Sequence, residues 1–387
     1  MSNPFAKILA LVGGKGLLQS KGESVIGIDI GSSSMKIVQL KKDHSRIILE
    51  TYGELATGPY ADLAVGQAVT LQPEKLGEMA QDLIKEANIT TSLGAFSIPL
   101  KSSLLVVLEM PDIKPSELAK AIPIEARKYI PVPISEVALD WWIIPHPEDT
   151  FEESEDEKKE KGGTPKGRVE VLAVAIHKGT LTQYESIAHL ARVQSKFFEI
   201  ETFSAIRSSF VGRDLGATAI IDMGAGTTKM AIVDSGIVKL SHTIGKGSQD
   251  VTVAISKSLG VPFAKAEEVK REIGLNRPGK QFPGRTLSVD DVGFATNPIV
   301  EYIFAEANRA IVNYQKKYKR SVDHAVLIGG GALLKGVHDI AVRYLGSEVS
   351  MGNPFEKVET PAFLSPVLKE AGPEFAVAIG LALRLLQ

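Results

Sequence analysis

With 387 residues, the chain is long enough for two or more compact units that each bury a core. Its 44 Lys and Arg and its 46 Asp and Glu give a net charge of −2, which provides no general attraction to nucleic acid or anionic lipid. The absence of cysteine excludes disulfides, thiolate metal sites and thiol catalysis.

The N-terminus carries a short amphipathic pattern, in which Phe5, Ile8, Leu9 and Val12 recur at helical spacing before three glycines interrupt it. The pattern is too short for a signal peptide. No stretch of the chain approaches the roughly 20 apolar residues of a membrane-spanning helix. We interpret residues 1–23 as an arm that docks or is disordered, with membrane-surface binding as the alternative. We expect a cytoplasmic protein without a transmembrane span.

Two segments of the chain repeat one pattern. Around Asp29 the sequence reads VIGIDIGSSSMKIVQL, and around Asp222 it reads TAIIDMGAGTTKMAIVD. Both follow the order Asp, apolar, Gly, two small residues, Ser or Thr, any residue, Lys. In each copy a β-branched run enters the Asp and a second apolar run follows the Lys, which is typical of an antiparallel hairpin. The two copies predict a duplicated α/β domain.

The region between the hairpins predicts a smaller α/β unit inside the first half. Its patterns indicate a helix over 73–88, strands over 94–99 and 103–109, a helix over 115–129, strands over 136–144 and 168–176, and a helix over 180–191. The charged, glycine-containing run at 147–167 predicts a disordered loop. We expect an inserted subdomain over 94–175, with the first domain formed by 24–93, 176–215 and 374–387.

The second half predicts a domain over residues 216–373. Helical patterns cover 248–259 and 298–318, and the segment 264–274 follows the first of them. A strand over 325–328 runs into Gly329, Gly330 and Gly331, before a helix-like stretch over 333–345. A last apolar helix begins at about Glu374.

Loops of glycine and small hydroxyl residues bring backbone N–H groups close to a phosphate. The residues that can do so are Gly31, Ser32, Ser33, Ser34, Gly224, Ala225, Gly226, Thr227 and Thr228, and the glycines 329–331 form a third such loop. Lys36 and Lys229 interrupt apolar strands and need a partner, which a phosphate provides. Asp29 and Asp222 can hold Mg²⁺ through its waters. A plain tight turn is the alternative for any one loop, whereas two matched copies favour phosphate binding.

The two hairpins, the triple-glycine loop and the segment Ala266-Glu267-Glu268-Val269-Lys270 resemble the actin-like ATPase superfamily, which includes FtsA, MreB, DnaK-type chaperones and sugar kinases. The resemblance implies a duplicated actin-like (ribonuclease H-like) ATPase fold in which the three loops surround ATP and Mg²⁺. It also implies that Glu267 and Lys270 contact the nucleoside. An ordinary surface ion pair at i, i+3 is the alternative for these two residues.

A narrower resemblance rests on the tracts FSIPLKSSLLVVLEMP, IEARKYIPVPISEVALDW, VLAVAIHKGTLTQYESI and FAVAIGLALRLL, which are similar to the PilM family of type IV pilus assembly. The lack of a further C-terminal amphipathic helix favours this family over FtsA. The resemblance implies a scaffold that binds the N-terminal cytoplasmic peptide of the inner-membrane protein PilN, and so lies at that membrane. Tyr129, Ile130, Pro131 and Pro133 are candidate peptide contacts, and a helix stop packed in the subdomain core is the alternative.

Hydrolysis in this superfamily needs a polar group that positions water. The stretch FFEIETFSAIRS offers Glu199 and Glu201, of which Glu201 matches the family better. A structural acid near a helix start is the alternative for it. We assign Asp29, Glu201 and Asp222 to catalysis and expect slow or no turnover. An FtsA-like filament protein and a sugar or acetate kinase remain alternatives, and the sequence leaves homo-oligomerisation open.

Overall fold

The computed structural model describes residues 23–145, 167–210, 216–275 and 293–387, together with the backbone of 281–282, 285–286 and 289–292. The predicted N-terminal arm, apart from Glu23, and the predicted loop at 147–167, apart from Gly167, lie outside these residues. Within the described residues, no helix is long and apolar enough to cross a bilayer.

Strands and helices are mixed along the chain, with runs of two or three strands between helices. The strands are β1 (Ser24–Ile30), β2 (Ser34–Asp43), β3 (Arg46–Ala56), β4 (Leu93–Ile98), β5 (Ser103–Pro111), β6 (Val137–Ile143), β7 (Arg168–His177), β8 (Gln194–Ile200), β9 (Ala217–Met223), β10 (Thr228–Asp234), β11 (Ile237–Ile244), β12 (Gln281–Phe282), β13 (Arg285–Thr286), β14 (Val322–Ile328) and β15 (Glu348–Met351). The helices are α1 (Pro73–Glu86), α2 (Pro115–Ala126), α3 (Lys178–Leu190), α4 (Glu201–Ser209), α5 (Ser248–Leu259), α6 (Phe263–Ile273), α7 (Val289–Tyr318), α8 (Val337–Leu345), α9 (Ser365–Ala371) and α10 (Ala376–Leu385).

The two large sheets have the same topology. The first has the order β3-β2-β1-β4-β8 and the second the order β11-β10-β9-β14-β15. In both, the first three strands are antiparallel and the next two run parallel to the third. The two predicted hairpins occupy equivalent positions, since Asp29 pairs with Lys36 and Asp222 pairs with Lys229. This repetition confirms the predicted duplication.

The C-terminal helix α10 joins the first domain through unusually close contacts with its neighbours. A Cβ on Gly27 of β1 would meet the carbonyl oxygen of Ala378 and lie 2.9 Å from the amide nitrogen of Ala382. A Cβ on Gly380 would likewise meet the backbone of Ser204 in α4. Because backbone lies against backbone, only glycine fits at these two positions. The helix is therefore built into the core of the first domain, as its apolar sequence predicts.

The inserted unit is a three-stranded antiparallel sheet, β5-β7-β6, covered by α2. The prediction that 94–99 belongs to this unit is wrong, because β4 lies between β1 and β8 in the first sheet. The helix predicted over 115–129 ends at Ala126 and is followed by a turn. Pro131 disfavours helical geometry at Ile130, so the chain does not resume the helix after the turn at 127–129.

Two elements of the second domain differ from expectation. The helix-like stretch over 333–345 is instead a 3₁₀ turn, Gly330–Leu333, followed by α8 from Val337. Gly336 has φ 88°, which interrupts a continuous helix at this point. Helix α7 begins at Val289 rather than near Pro298.

The third antiparallel strand of each large sheet, β3 in the first and β11 in the second, was not predicted, because its partly exposed residues lack a clean alternation.

Candidate functional site

A cavity of about 540 Å³ lies between the two domains at the turns of both hairpins. Nearly all of the predicted site residues line it: Asp29, Gly31, Ser32, Ser33, Ser34, Lys36, Glu201, Asp222, Gly224, Ala225, Gly226, Thr227, Lys229, Glu267, Lys270, Gly329, Gly330 and Gly331. The fold therefore brings together residues that are up to 302 positions apart in sequence.

Thr228 is the exception among the predicted phosphate ligands. It is fully buried, and its Oγ1 donates to the carbonyl oxygen of Lys246 at 2.9 Å. The hydroxyl thus holds the hairpin to the segment that leads into α5. The position of Thr228 corrects the expectation that it faces the ligand, because successive side chains of a strand point to opposite faces.

The two hairpin turns are geometric copies of each other. The Gly31 N–H donates to the carbonyl of Ser34 at 3.0 Å, and the Gly224 N–H donates to the carbonyl of Thr227 at 3.1 Å. A Cβ on either glycine would lie 2.9 Å from that same carbonyl oxygen. In the described part of the chain, the N–H groups of Ser32 and Ala225, the next residue in each turn, donate to no protein acceptor. Such amides at a cavity wall suit a phosphate.

Asp29 is a partly buried carboxylate that lines the cavity. Burial, and next the charge of Glu201, raise the pKa of Asp29 to about 6, although a hydrogen bond from Ser97 and two lysines act in the other direction. Ser97 Oγ donates to Asp29 Oδ1 at 2.7 Å and also accepts from the N–H of Ile30 at 3.3 Å. Ser97 was not predicted, since nothing in its local sequence marks it as a partner of Asp29.

Lys229 lies between two carboxylates. Its Nζ is 2.9 Å from Glu201 Oε2 and 3.5 Å from Asp222 Oδ2. Burial acts to lower the pKa of Lys229, but Glu201 and Asp222 outweigh burial and raise it, so the amine stays charged. The second oxygen of Glu201, Oε1, accepts the N–H of Leu100 at 2.6 Å. Both oxygens of the predicted water-positioning residue are therefore engaged.

The carboxylates of Asp29, Glu201 and Asp222 exceed the single ammonium of Lys229 in charge, which suits a divalent cation. In the described ranges, no group of three or more His, Cys, Asp or Glu side chains converges closely enough to hold a metal directly. Mg²⁺ in proteins usually keeps several waters and takes one or two carboxylates plus substrate phosphates. The residues present fit that mode of binding, with Asp29 and Asp222 as the carboxylates.

Lys36 lines the cavity, but its partners in the structure are protein groups. Its Nζ lies 2.7 Å from Glu54 Oε1 and 3.6 Å from Glu374 Oε2, and it donates to Ser34 Oγ at 2.6 Å. Burial opposes the charge, yet Glu54 and Glu374 together raise the pKa of Lys36. These two acids were not predicted, because they approach Lys36 only through the fold. The phosphate expected beside Lys36 would compete with them.

Glu267 and Lys270 form a buried pair rather than a surface one. Glu267 Oε2 accepts from Lys270 Nζ and from Thr252 Oγ1, at 2.7 Å each, and Oε1 accepts from Arg271 Nε at 2.8 Å. Burial lowers the pKa of Lys270 despite the charge of Glu267. Gly66 of the first domain lies directly against this carboxylate. Burial at the cavity wall argues against the ordinary surface ion pair.

The triple-glycine loop packs on the second hairpin. Gly329 has φ 82°, and a Cβ there would meet the carboxylate of Asp222 and lie 2.7 Å from the carbonyl oxygen of Met223. A Cβ on Gly331 would lie 2.7 Å from the same carbonyl. Larger residues would push the loop away from Asp222, so glycine brings this backbone to the cavity.

A second cavity, of about 500 Å³, adjoins the first. Both cavities are lined by Gly31, Ser32, Glu201, Gly226, Thr227 and Lys229. The second cavity is also lined by Pro99, Lys101 and Ser102, where the chain enters the inserted subdomain, and by Tyr184 of α3. Glu201 and Lys229 therefore lie on the walls of both cavities.

The four candidate peptide contacts do not share one environment. Tyr129, Pro131 and Pro133 are exposed, whereas Ile130 is buried in the core of the inserted subdomain. Ile130 thus has the structural role that was the alternative for this tract. None of the four lines either of the two cavities.

Glu199, the other acid considered for catalysis, lies outside both cavities. Its carboxylate accepts two bonds from Arg207, at 2.7 and 2.8 Å, and one from Ser204 Oγ at 2.5 Å, and it pairs with Arg384 of α10. This arrangement ties β8, α4 and α10 together. Glu199 is therefore a structural acid, and Glu201 is the one of the two that lines the cavity.

Solved structures share this architecture. A PilM–PilN type IV pilus biogenesis complex matches with a TM-score of 0.74 and 24% identity over 94% of this chain and 98% of that chain. The ethanolamine utilization protein EutJ from Carboxydothermus hydrogenoformans matches with a TM-score of 0.52 and 14% identity, covering 97% and 94%. MreB5 of Spiroplasma citri bound to AMPPNP gives 0.51 and 12%, covering 95% and 96%. These likenesses confirm the duplicated actin-like fold.

The similar curated proteins are cell division proteins FtsA. That of Helicobacter pylori strain J99 is 25% identical over 237 residues, or 56% of this chain and 47% of the relative. That of Pseudomonas aeruginosa is 21% identical over 390 aligned positions, covering 95% and 90%. The chain spans about half the length of the first of these relatives.

The family comparison is more specific. The model of the type IV pilus assembly protein PilM matches residues 27–386, which include both hairpins, the inserted subdomain and α10. The match covers nearly the whole chain, and the narrower resemblance of the sequence tracts is thereby confirmed. The chain belongs to the PilM family of type IV pilus assembly proteins.

Proposed function

We propose that this chain is an ATP-binding scaffold of type IV pilus assembly, with Mg²⁺ as the companion ion. The observation that carries the proposal is the cavity between two identical hairpin turns, each with a strand-end aspartate and unpaired backbone amides. A binding site of this kind suits a polyphosphate rather than a small neutral substrate.

The described residues suggest an orientation for the nucleotide. The turns beginning at Gly31 and Gly224 would hold phosphates through backbone N–H groups. Mg²⁺ would lie near Asp29 and Asp222, where it would neutralise the carboxylate excess and the phosphate charge. The nucleoside would lie toward Glu267 at the other end of the cavity. The hairpin turns would thus face the phosphates, the two aspartates would face Mg²⁺, and Glu267 would face the nucleoside.

The geometry of Glu201 supports slow hydrolysis or none. Each oxygen of the Glu201 carboxylate already has a protein partner, Lys229 at 2.9 Å and the Leu100 N–H at 2.6 Å. A water bound by Glu201 would have to share an oxygen with one of these donors, which limits how freely the carboxylate can turn toward it. ATP would then serve mainly to stabilise a domain arrangement. Turnover above roughly one per second without partners would contradict the scaffold proposal.

The partner we propose is the N-terminal cytoplasmic peptide of a PilN-like inner-membrane protein, which would place the scaffold at the cytoplasmic face of that membrane. The second cavity supports this proposal, because it is lined by residues of both actin-like domains and by Pro99, Lys101 and Ser102, at the entry to the inserted subdomain. An extended peptide can combine backbone hydrogen bonds with side-chain pockets in such a groove. The exposed Tyr129, Pro131 and Pro133 are candidate outer contacts.

ATP affinity measured by titration calorimetry in Mg²⁺ buffer tests the nucleotide site. Asp222→Ala removes a carboxylate near the cation. Lys36→Ala leaves Glu54 and Glu374 uncompensated beside the phosphates. We expect each variant to bind ATP at least tenfold more weakly, which is about 1.4 kcal/mol. Lys75→Ala, at an exposed lysine of α1, is the control and should keep wild-type affinity. Unchanged affinity in both site variants would count against the site.

Co-purification with a synthetic N-terminal peptide of the partner, with and without ATP, tests the scaffold function. We expect the peptide to be retained by the wild-type chain. No retention in either state would remove the partner from the proposal while leaving the nucleotide site intact.

A further inference from the structure

The turn Leu100–Ser102 connects the ligand cavity to the inserted subdomain. It follows β4 of the first sheet and leads directly into β5. The Leu100 N–H donates to Glu201 Oε1 at 2.6 Å in a buried environment. Ser103 Oγ bonds the carbonyls of Pro99 and Leu100, at 3.2 Å each, which stiffens the turn. A displacement of the Glu201 carboxylate therefore acts on the start of β5.

A bound nucleotide would also act on Glu201, through the charges around its carboxylate. Its other oxygen pairs with Lys229, which lies 3.5 Å from Asp222 and lines both cavities. A triphosphate in the first cavity attracts the ammonium of Lys229, while a cation attracts the carboxylates. Either effect removes a partner from Glu201, and a buried carboxylate that loses one partner must find another. Reorientation of Glu201 then leaves the Leu100 N–H without its acceptor.

The inserted subdomain is anchored to the second domain on its other side. Glu170 of β7 accepts from Lys239 Nζ of β11 and from the hydroxyl of Tyr318 of α7, at 2.7 Å each. Lys317 lies 2.9 Å from Glu109 of β5. With this anchor in place, a shift of the turn at Leu100 would move one end of the subdomain while the other end stays attached to the second domain. Such a movement changes the second cavity, since the turn forms part of its wall.

We infer that the Leu100–Ser102 turn is a positioning element for Glu201 and couples nucleotide occupancy to the shape of the second cavity. The inference rests on the proposed function, because it needs ATP in the first cavity. The coupling is reciprocal, so that an occupant of the second cavity changes ATP affinity by the same factor as ATP changes its affinity. A factor of roughly 5 to 150 is typical of such coupling.

The chain carries a built-in reporter for this coupling. Its two tryptophans, Trp141 and Trp142, are both in β6 of the inserted subdomain. Trp142 is half-buried against the core that also contains residues of the first domain. We expect Mg²⁺-ATP to change the tryptophan emission of the wild-type chain, with a midpoint equal to the Kd from calorimetry.

A matched pair of variants isolates the hydrogen bond. Leu100→Pro removes the N–H and puts Cδ where Glu201 Oε1 accepts, so the carboxylate must move away from the turn. The backbone itself suits proline, because Pro99 has ψ 138° and position 100 opens a 3₁₀ turn. Leu100→Ala keeps the N–H and removes the buried side chain. We expect the emission change in Leu100→Ala but its loss in Leu100→Pro, while calorimetry still detects ATP binding to both. Emission changes of equal size in the two variants would overturn the inference.

Hydrogen–deuterium exchange in the wild-type chain provides a test that needs no substitution. Mg²⁺-ATP should speed exchange at the Leu100 amide and slow it at the Ser32 and Ala225 amides of the turns. Slower exchange at the turns with no change at Leu100 would refute the coupling and leave the proposed function standing. Absence of ATP binding by calorimetry would refute the proposed function itself, and the inference with it.

Discussion

Glu199 and Glu201 lie two positions apart yet have opposite roles, and this contrast can be tested by equal substitutions. Glu199→Gln keeps the shape of a side chain that is 4% exposed but removes its charge. Glu201→Gln likewise keeps the shape of the side chain and removes its charge, at a residue that lines both cavities. We expect the first variant to lose stability with ATP affinity preserved, and the second to lose ligand-dependent behaviour with a smaller loss of stability.

The magnitude for Glu199 follows from its contacts. Arg207 donates twice to the carboxylate, Arg384 pairs with it, and Ser204 donates at 2.5 Å. Burial would raise the pKa of Glu199, but the two arginines and Ser204 hold it below its ordinary value. Removing one member of a buried ion pair costs about 3–5 kcal/mol. For domains of this size, a loss of that order lowers the melting temperature by roughly 6–20 °C.

Thermal denaturation at neutral pH, with calorimetric ATP titration of the same samples, measures both effects. Because the pKa of Glu199 is depressed, its contribution to stability is present above its unfolded-state pKa. The contribution is lost as the pH falls through the folded-state pKa. The difference in melting temperature between wild type and Glu199→Gln should therefore shrink in acid.

The assigned roles would be refuted by the reverse pattern. A melting temperature of Glu199→Gln within about 2 °C of wild type would correspond to less than about 1 kcal/mol, too little for a buried ion cluster. Loss of ATP binding in that variant without loss of stability would show that Glu199, not Glu201, acts on the ligand.

Two further predictions concern residues that line the cavity. Burial holds the pKa of Asp29 at about 6 against an ordinary 3.8, so the stabilisation by its protonated form is complete below pH 3.8 and is lost as the pH rises through 6. In Mg²⁺-free buffer, thermal denaturation should show wild type losing about 2 kcal/mol relative to Asp29→Asn between pH 4 and pH 7, and parallel pH profiles would contradict this. Gly329→Ala should lower ATP affinity at least tenfold by calorimetry, because its Cβ meets Asp222 and Met223. The control is Gly346→Ala, where φ is also positive but the space is open, and an equal loss of affinity there would contradict the steric argument.

Local pattern was sufficient for the hairpins and for most element boundaries. Alternation into Asp29 and Asp222, small residues in the turns and a lysine after each turn depend only on neighbours in the chain. The same holds for α5, which the structure places at Ser248–Leu259 as predicted. The assignment of β4 failed, because which sheet a buried strand joins depends on partners far away in sequence.

The partners of the site residues could not be predicted from local sequence patterns either. Ser97 on Asp29, Glu54 and Glu374 on Lys36, and the Leu100 amide on Glu201 are brought into contact by strand order and domain packing. No spacing rule connects residues that are 18, 68, 101 or more positions apart. Backbone donors such as the Leu100 N–H carry no sequence signature at all.

The sequence by itself determined that the chain holds two matched phosphate-type loops and belongs with the actin-like proteins, because a repeated order of residue types survives in one dimension. Only the tertiary structure decided that Glu201 lines the cavity. Glu199, two positions earlier, instead pairs with Arg207 and Arg384 inside the first domain. The tertiary structure also linked Glu201, through a hydrogen bond from the Leu100 N–H, to the turn that leads into the inserted subdomain. That link is a contact between distant segments, and contacts of this kind exist only once the chain has folded.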